Sequence, residues 1–274
     1  MKEKIDILVT IDENYLNPLQ VMLTSIYLNN QDDIFKIWLI HQSIPQEKLD
    51  LLNKQAIRFN WEFEAVVVDE SLFDKAKTVD RYPKEMYFRL LAGQILPKEL
   101  KKVLYLDPDI LIINPLRPLW EMDLKGNMLT ASTHAGVTNI INGVNNIRLG
   151  TDHDYYNSGV MIMDLDMLRS VVKIEDINEV IENYNAVLIL PDQDILNFLY
   201  GNYILGVPEE IWNYDARKYS SYLTRSLGKE DIHWVAENTA VLHFCGQPKP
   251  WDEKNDTRFT VLYENYRMLT KNYI

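Results

Sequence analysis

Leu104-Tyr105-Leu106-Asp107-Pro108-Asp109-Ile110-Leu111-Ile112-Ile113 is an apolar, strand-forming run broken by two carboxylates two residues apart. A strand this apolar belongs in the middle of a parallel sheet, buried on both faces. Carboxylates at its end cost free energy unless something positive neutralises them. Pro108 holds its own φ at about −65° and keeps Asp107 out of the helical region, so the triplet is extended and stiff. In extended backbone, residues i and i+2 point to the same side, and both carboxylates can converge on one point. Hard oxygen donors converging at a strand's carboxyl end fit Mg²⁺ or Mn²⁺, with phosphate oxygens completing the shell. Asp-Pro-Asp is also a common turn sequence and acidic triplets recur by chance, so the rest of the chain has to decide.

Upstream, strands alternate with helices. Ile5–Ile11 is a strand, followed by a helix from Pro18 to about Asn29, with Asn17 as N-cap and Pro18 at the first helical position. Phe35–Ile40 is a second strand, and a helix opening near Pro45 carries Leu49, Leu52 and Ala56 at helical spacing. Trp61–Val68 is a third strand, and a helix from Lys84 to about Ile95 precedes the strand Val103–Leu106. This alternation with short connections predicts a mainly parallel α/β sheet covered by helices. Ligands of such sheets bind outside the carboxyl ends of the strands, where Asp12, Asn14, Asp107 and Asp109 would sit. No glycine-rich phosphate loop of the dinucleotide or P-loop type is present.

Downstream the pattern is less regular. Leu129–Ser132 reads as a strand, and Thr133–Asp154, rich in Asn and Gly, as a mobile functional loop. Tyr155–Asp164 is a strand with a polar entrance, Glu175–Tyr184 a helix, and Pro191 starts another. Tyr214–His233 is tyrosine-rich and irregular, Ala240–Phe244 is a strand, and a closing helix runs from Arg258 to about Leu269. With no repeat or linker, residues 1–274 read as one domain with loop insertions.

The chain has 274 residues and a net charge of −12, which leaves no basic footprint for nucleic acid. An anionic ligand would therefore need a metal or a few placed cations. One cysteine, Cys245, excludes an intrachain disulfide and fits a reducing compartment. With no signal peptide and no apolar run near the ~18 residues of a membrane span, the expected location is the cytoplasm.

His243 ends an apolar strand as Asp107 does. A lone histidine there is more often structural, but Gly246 allows close backbone approach and Lys249 is a stiffly placed cation between prolines. Asp107, Asp109 and His243 would give an oxygen, oxygen, nitrogen set suited to Mn²⁺, with Lys249 neutralising further phosphate charge. Asp192-Gln193-Asp194 opens a helix, where one acid suffices as a cap; two acids flanking an amide can also bind sugar hydroxyls. Asn157 adds a polar contact, and Arg89 is either a salt-bridge partner or a ligand contact.

Taken together, Thr10-x-Asp12-x-Asn14-Tyr15, Tyr87-x-Arg89-Leu90, Tyr105-Leu106-Asp107-x-Asp109, Asn157-Ser158-Gly159-Val160, Asp192-Gln193-Asp194 and His243-Phe244-Cys245-Gly246-x-x-Lys249-Pro250-Trp251 resemble glycosyltransferase family 8, in order, from Ile5 to Trp251. The resemblance implies a GT-A fold, with a nucleotide-binding half to about residue 114 and a donor-sugar and acceptor half from about 115. It also implies a UDP-hexose donor, Mn²⁺ with Mg²⁺ as a substitute, and retention of anomeric configuration. It implies that Asp107, Asp109 and His243 hold the metal, and that Thr10, Asp12 and Asn14 meet uracil and ribose, with Tyr15 and Pro108 among the donor contacts. Arg89, Asn157, Asp192 and Gln193 would hold the donor sugar, and Gly246 and Lys249 the diphosphate. Gln193 would face the sugar opposite the leaving group with Asp194 beside it. An amide is a poor nucleophile, so a front-face reaction is favoured over double displacement through Asp194. The acceptor implied is a glycan, glycolipid or glycoprotein hydroxyl. Peripheral contact at the inner membrane face would have to rely on few cations, since only Arg267 and Lys271 lie near Ile274. A non-catalytic UDP-sugar sensor, a metal-dependent hydrolase and a self-glucosylating protein are the rival readings, and both glucose and galactose stay open.

Overall fold

The computed structural model describes residues 2–68, 85–133, 139–184, 188–253, 255 and 257–274. Its strands are β1 (Ile5–Thr10), β2 (Phe35–His41), β3 (Glu62–Val67), β4 (Lys102–Leu106), β5 (Ile110–Ile112), β6 (Leu129–Thr133), β7 (Tyr156–Asn157), β8 (Val160–Asp164), β9 (Ile204–Pro208), β10 (Tyr214–Asp215) and β11 (Val241–His243). A large sheet has the order β3-β2-β1-β4-β8-β6-β7, with β9 beside β6, and β10, β11 and β5 form a second sheet. The pairings from β3 to β4 and that of β6 with β9 are parallel. β8 runs against β4 and β6, and β7 against β6. The result is the expected α/β architecture around a mostly parallel sheet.

Alternation along the strands decides which core each residue joins. Ile7, Ile37 and Leu104 face the helices Leu16–Asn29 and Gln46–Arg58, packing on Leu19, Leu23, Leu49 and Leu52. Leu8, Trp38 and Tyr105 face the other way, toward Leu168, Ile177, Ile181 and Leu196 of later helices. Fully burying such side chains stabilises by roughly 1.5–3 kcal/mol each, which is why the period of two fixes the register. The edge strand β3 is only partly covered and is blunted by charge, with Glu62 and Glu64 paired to Lys4 and Lys36.

Several elements differ from the sequence-based expectation. The opening run is two strands in different sheets: β4 ends at Leu106, β5 starts at Ile110, and Asp107-Pro108-Asp109 is the corner between them. The helix expected from Pro18 begins at Leu16, after a 3-10 turn capped by Asp12, whose Oδ1 accepts the Asn14 N–H at 2.8 Å. Pro18 is tolerated because first-turn N–H groups lack intrahelical partners. The single helix expected to Ile95 is two turns, Glu85–Phe88 and Ala92–Ile95, with Arg89 between them; Lys84 lies outside the described residues. The expected strand from Tyr155 is interrupted by a turn at Ser158-Gly159.

Two corrections bear on function. Thr133–Asp154 is not a loop throughout: it contains the helix Asn139–Leu149, anchored by buried Leu149 and by Arg148, while 134–138 lie outside the described residues. Its Asn content is poor for an isolated helix, and tertiary contacts override that propensity. Tyr214–His233 is also ordered, with β10 and the helices Tyr219–Arg225 and Ile232–Asn238. Tyr214 and Tyr222 are buried there with ring centroids 4.1 Å apart, so the tyrosines build a core. No helix among the described residues is long and apolar enough to cross a membrane.

Candidate active site

The site lies on the seam between the two sheets. Asp107 is held at the end of β4 by its N–H, which donates to Gly159 O at 2.8 Å, and Asp109 accepts the Phe244 N–H at 3.0 Å. The antiparallel register of β5 with β11 sets His243 opposite Ile110, one residue past Asp109. Asp107 Oδ2 and Asp109 Oδ1 therefore stand 3.8 and 3.3 Å from His243 Nε2. The three residues bring one ligand atom each to within 4.8 Å of the others.

That spacing fits a divalent ion. Two adjacent donors on an octahedron with bonds of ~2.1 Å lie about 3 Å apart. Room for the ion is kept by Gly159: a Cβ there would lie 2.4 Å from His243 Cε1 and 2.8 Å from Asp107 Oδ2. Two carboxylates and an imidazole are a donor set that Mn²⁺ or Mg²⁺ accepts, so the residues present fit the group.

Cations crowd the same corner. Lys249 Nζ donates to Asp109 Oδ2 and, at 3.2 Å, to Phe244 O. Burial would raise the Asp109 pKa, but His243 and Lys249 outweigh it and hold the carboxyl well below the ordinary range. Burial likewise opposes charge on His243, yet Cys245 and Asp109 raise its pKa well above the usual histidine value. Arg89 pairs with Asp107 at 3.0 Å and Asp192 at 3.3 Å, donates to Ser158 O at 3.1 Å, and lies 4.6 Å over the Tyr105 ring. The break between the two short helices is what turns Arg89 toward these acids.

Gln193 and Asp192 stand on the first turn of the helix Pro191–Tyr200 beside the Asn157-Ser158-Gly159 turn: Gln193 Oε1 accepts Ser158 N–H at 3.3 Å. Thr10 Oγ1 lies 3.3 Å from the Tyr105 hydroxyl, which donates to Asp107 Oδ1 at 2.7 Å, linking β1 to the carboxylate pair. Tyr15 lies edge-on to Trp251 at 5.9 Å, and burial raises its hydroxyl pKa above the usual value, with Lys249 opposing and Asp109 adding to the rise. Asp12 and Asn14 sit exposed at the end of β1, bonded to each other at 2.8 and 3.2 Å. Pro108 is buried in the corner. Gly246 has φ +68, and a Cβ there would meet Arg217 Nη1 at 2.3 Å.

Asp194 is fully buried. Oδ1 accepts from Arg148 Nη2 at 2.7 Å and Tyr155 OH at 2.6 Å; Oδ2 accepts from Arg148 Nη1 at 2.7 Å and the N–H groups of Ile189 at 2.7 Å and Leu190 at 3.0 Å. Burial alone would raise its pKa, but these donors, Arg148 first, bring it below the usual carboxylate value. The helix has Leu190 at its N-cap with no side-chain cap, so no acid of the triplet caps it as expected; Asp194 instead accepts the Ile189 and Leu190 N–H groups that precede the helix.

Sequence reasoning missed Arg148, Tyr155, Asn213 and Arg217. Arg148 was hidden by the Asn-rich pattern of its helix, and Arg217 and Asn213 by an irregular stretch. A buried His243 needing an amide or carboxylate partner was the one available signal for Asn213.

Compared with solved structures, the fold matches the galactosyltransferase LgtC, solved in complex with donor and acceptor sugar analogues: TM-score 0.81 and 24% identity over 97% of this chain and 96% of that one. The architecture is that of a GT-A glycosyltransferase. The family model "Glycosyl transferase family 8" matches residues 6–255, and the chain belongs to that family. It is 28% identical to general stress protein A of Bacillus subtilis, over 95% of this chain and 92% of that protein. It is 24% identical to a lipopolysaccharide 1,2-glucosyltransferase of Escherichia coli, over 89% of this chain and 72% of that one.

Proposed function

We propose that the protein is a retaining transferase that moves a hexose, glucose or galactose, from a UDP-sugar to a hydroxyl of a glycan, glycolipid or glycoprotein. The observation that carries this is the Asp107, Asp109, His243 cluster, kept open by Gly159 and flanked by Lys249 and Arg89 at the carboxyl end of β4. The glucosyl- and galactosyltransferase relatives support the choice of hexoses and, for the lipopolysaccharide enzyme, a glycolipid-type acceptor.

In this reading Asp107, Asp109 and His243 hold Mn²⁺, which when bound would neutralise charge on the departing diphosphate. Lys249 and Gly246 attend the same phosphates, Lys249 by supplying a point cation as the glycosidic bond breaks. Thr10, Asp12, Asn14, Tyr15 and Pro108 bind the nucleoside side. Asn157, Arg89, Asp192 and Gln193 orient the sugar, with Gln193 against its far face. The acceptor hydroxyl oxygen then bonds to the anomeric carbon from the side that UDP leaves, and its proton passes to the departing diphosphate oxygen.

Asp194 is read here as a positioning residue. Oδ1 already accepts two hydrogen bonds and Oδ2 three, so either oxygen would have to give up bonds to protein donors before it could attack carbon. This supports the front-face route over double displacement.

The test is UDP release from a panel of UDP-hexoses with Mn²⁺ or with EDTA, followed by product anomer assignment by NMR. Metal-dependent release from one UDP-hexose, with the anomeric configuration kept in the product, is expected. UDP-sugar binding with no turnover toward any hydroxyl acceptor, or an inverted product, would overturn the proposal.

A further inference from the structure

A chain of hydrogen bonds behind the cluster can be oriented from a backbone group. The Gly159 N–H can only donate, and it donates to Asn157 Oδ1 at 2.9 Å, so that end of the Asn157 amide is the oxygen. Asn213 meets the same oxygen at 2.7 Å and must present its Nδ2 there, which it also gives to Ser132 Oγ at 2.9 Å. Its Oδ1 is then left facing His243 Nδ1 at 2.7 Å, so that nitrogen carries a proton. Asn213 and His243 are both 4% exposed, which leaves little room for water to substitute for either partner. Asn213 stands directly before β10, whose pairing with β11 sets Tyr214 against Leu242 and brings the amide to the back of the His243 ring.

We propose that Asn213 is a positioning residue for two functional side chains. It holds His243 with Nδ1 as donor, so that Nε2, which faces Asp107 and Asp109, is the ring nitrogen left to ligate a divalent cation once it has given up its proton. Through the same amide it commits Asn157 Oδ1 inward and leaves Asn157 Nδ2 as the end that donates to the donor sugar. The inference rests on the metal and donor-sugar roles given above and adds the residue that couples them. Outer partners of this kind change metal affinity by about 10–100-fold when removed.

The test uses the full chain, with Mn²⁺ binding followed by the EPR signal of the free ion, UDP-glucose and UDP-galactose affinity by calorimetry, and thermal melting for fold. Asn213→Ala should weaken Mn²⁺ binding about 10–100-fold. Asn213→Asp keeps an acceptor for Nδ1 and should bind Mn²⁺ nearly as the parent does. It cannot donate to Asn157, so UDP-hexose affinity should fall, by up to about tenfold for one lost hydrogen bond. Asn157→Ala should lose donor affinity and keep Mn²⁺ affinity. A folded Asn213→Ala with parental Mn²⁺ affinity overturns the inference, as does an Asn213→Asp that keeps both affinities or loses both. Should Asn213→Ala fail to fold, Asn213→Asp decides the matter by the same split. A parent protein that binds no Mn²⁺ overturns the metal reading itself, a result distinct from equal binding by parent and variant.

Discussion

Gly159→Ala isolates the room that the proposed cation needs. Gly159 is outside the positive-φ region, so alanine's backbone is not strained and the cost comes from the added methyl alone. That methyl would lie 2.4 Å from His243 Cε1, 2.8 Å from Asp107 Oδ2 and 3.0 Å from His243 Nδ1. Carbon pairs settle at about 3.5–4.0 Å, so the ring has to retreat by about 1 Å. It has little freedom to do so, because Asn213 holds Nδ1 at 2.7 Å and the backbone of Gly159 is tied to Asp107 N–H at 2.8 Å. Overpacking of this kind costs about 1–3 kcal/mol. If that cost falls on the ligand-ready geometry, Mn²⁺ affinity drops about 5- to 150-fold, at one decade per ~1.4 kcal/mol. Titration of free Mn²⁺ by EPR, with melting curves to establish that the variant is folded, measures it. A folded Gly159→Ala protein that binds Mn²⁺ as the parent does would refute the reasoning.

Other outcomes follow from the same contacts. Lys249→Ala removes a cation that now occupies Asp109, so Mn²⁺ should bind at least as tightly while kcat for UDP release falls, by about 10²–10³ if Lys249 steadies the leaving group; equal kcat would dismiss that role. Arg148→Ala leaves the fully buried Asp194 charge without its bidentate partner and should cost about 3–5 kcal/mol of stability by urea titration. The folded pKa values of Asp194 and of Asp215, where burial is outweighed by the Arg217 guanidinium at 2.8 and 3.0 Å, lie below the ordinary carboxylate value, so their contribution is present above about pH 4 and is lost as pH falls further, through the folded pKa values. Urea midpoints measured from pH 6 down to pH 3 should fall accordingly, and the slope should flatten in Arg148→Ala.

Much of the fold and part of the site were legible in the residues themselves. Ile5–Thr10, Phe35–His41 and Lys102–Leu106 announce buried parallel strands because, past the partly buried Asp6, Lys36 and Lys102 at their starts, nearly every position is apolar, a run that fits burial on two faces. Asp107, Asp109, His243 and Lys249 stand out because charge at the end of such strands needs a reason. The helix Asn139–Leu149 did not stand out. Its stability comes from Leu149 in the core and from Arg148 on a carboxylate 46 residues away, contacts that no local pattern encodes.

By itself the sequence determined the α/β winding, the acidic corner and the ordered set of motifs, since periodicity and burial act over a few neighbouring residues. Only the tertiary structure decided that Asp107 and Asp109 sit where two sheets part, that Asp194 is saturated by five donors, and that Asn213 orients both His243 and Asn157. The physical reason is that a hydrogen bond is directional and saturable. Which donor reaches which acceptor depends on backbone placed from distant parts of the chain, and a side chain's type does not reveal whether its oxygens are already taken.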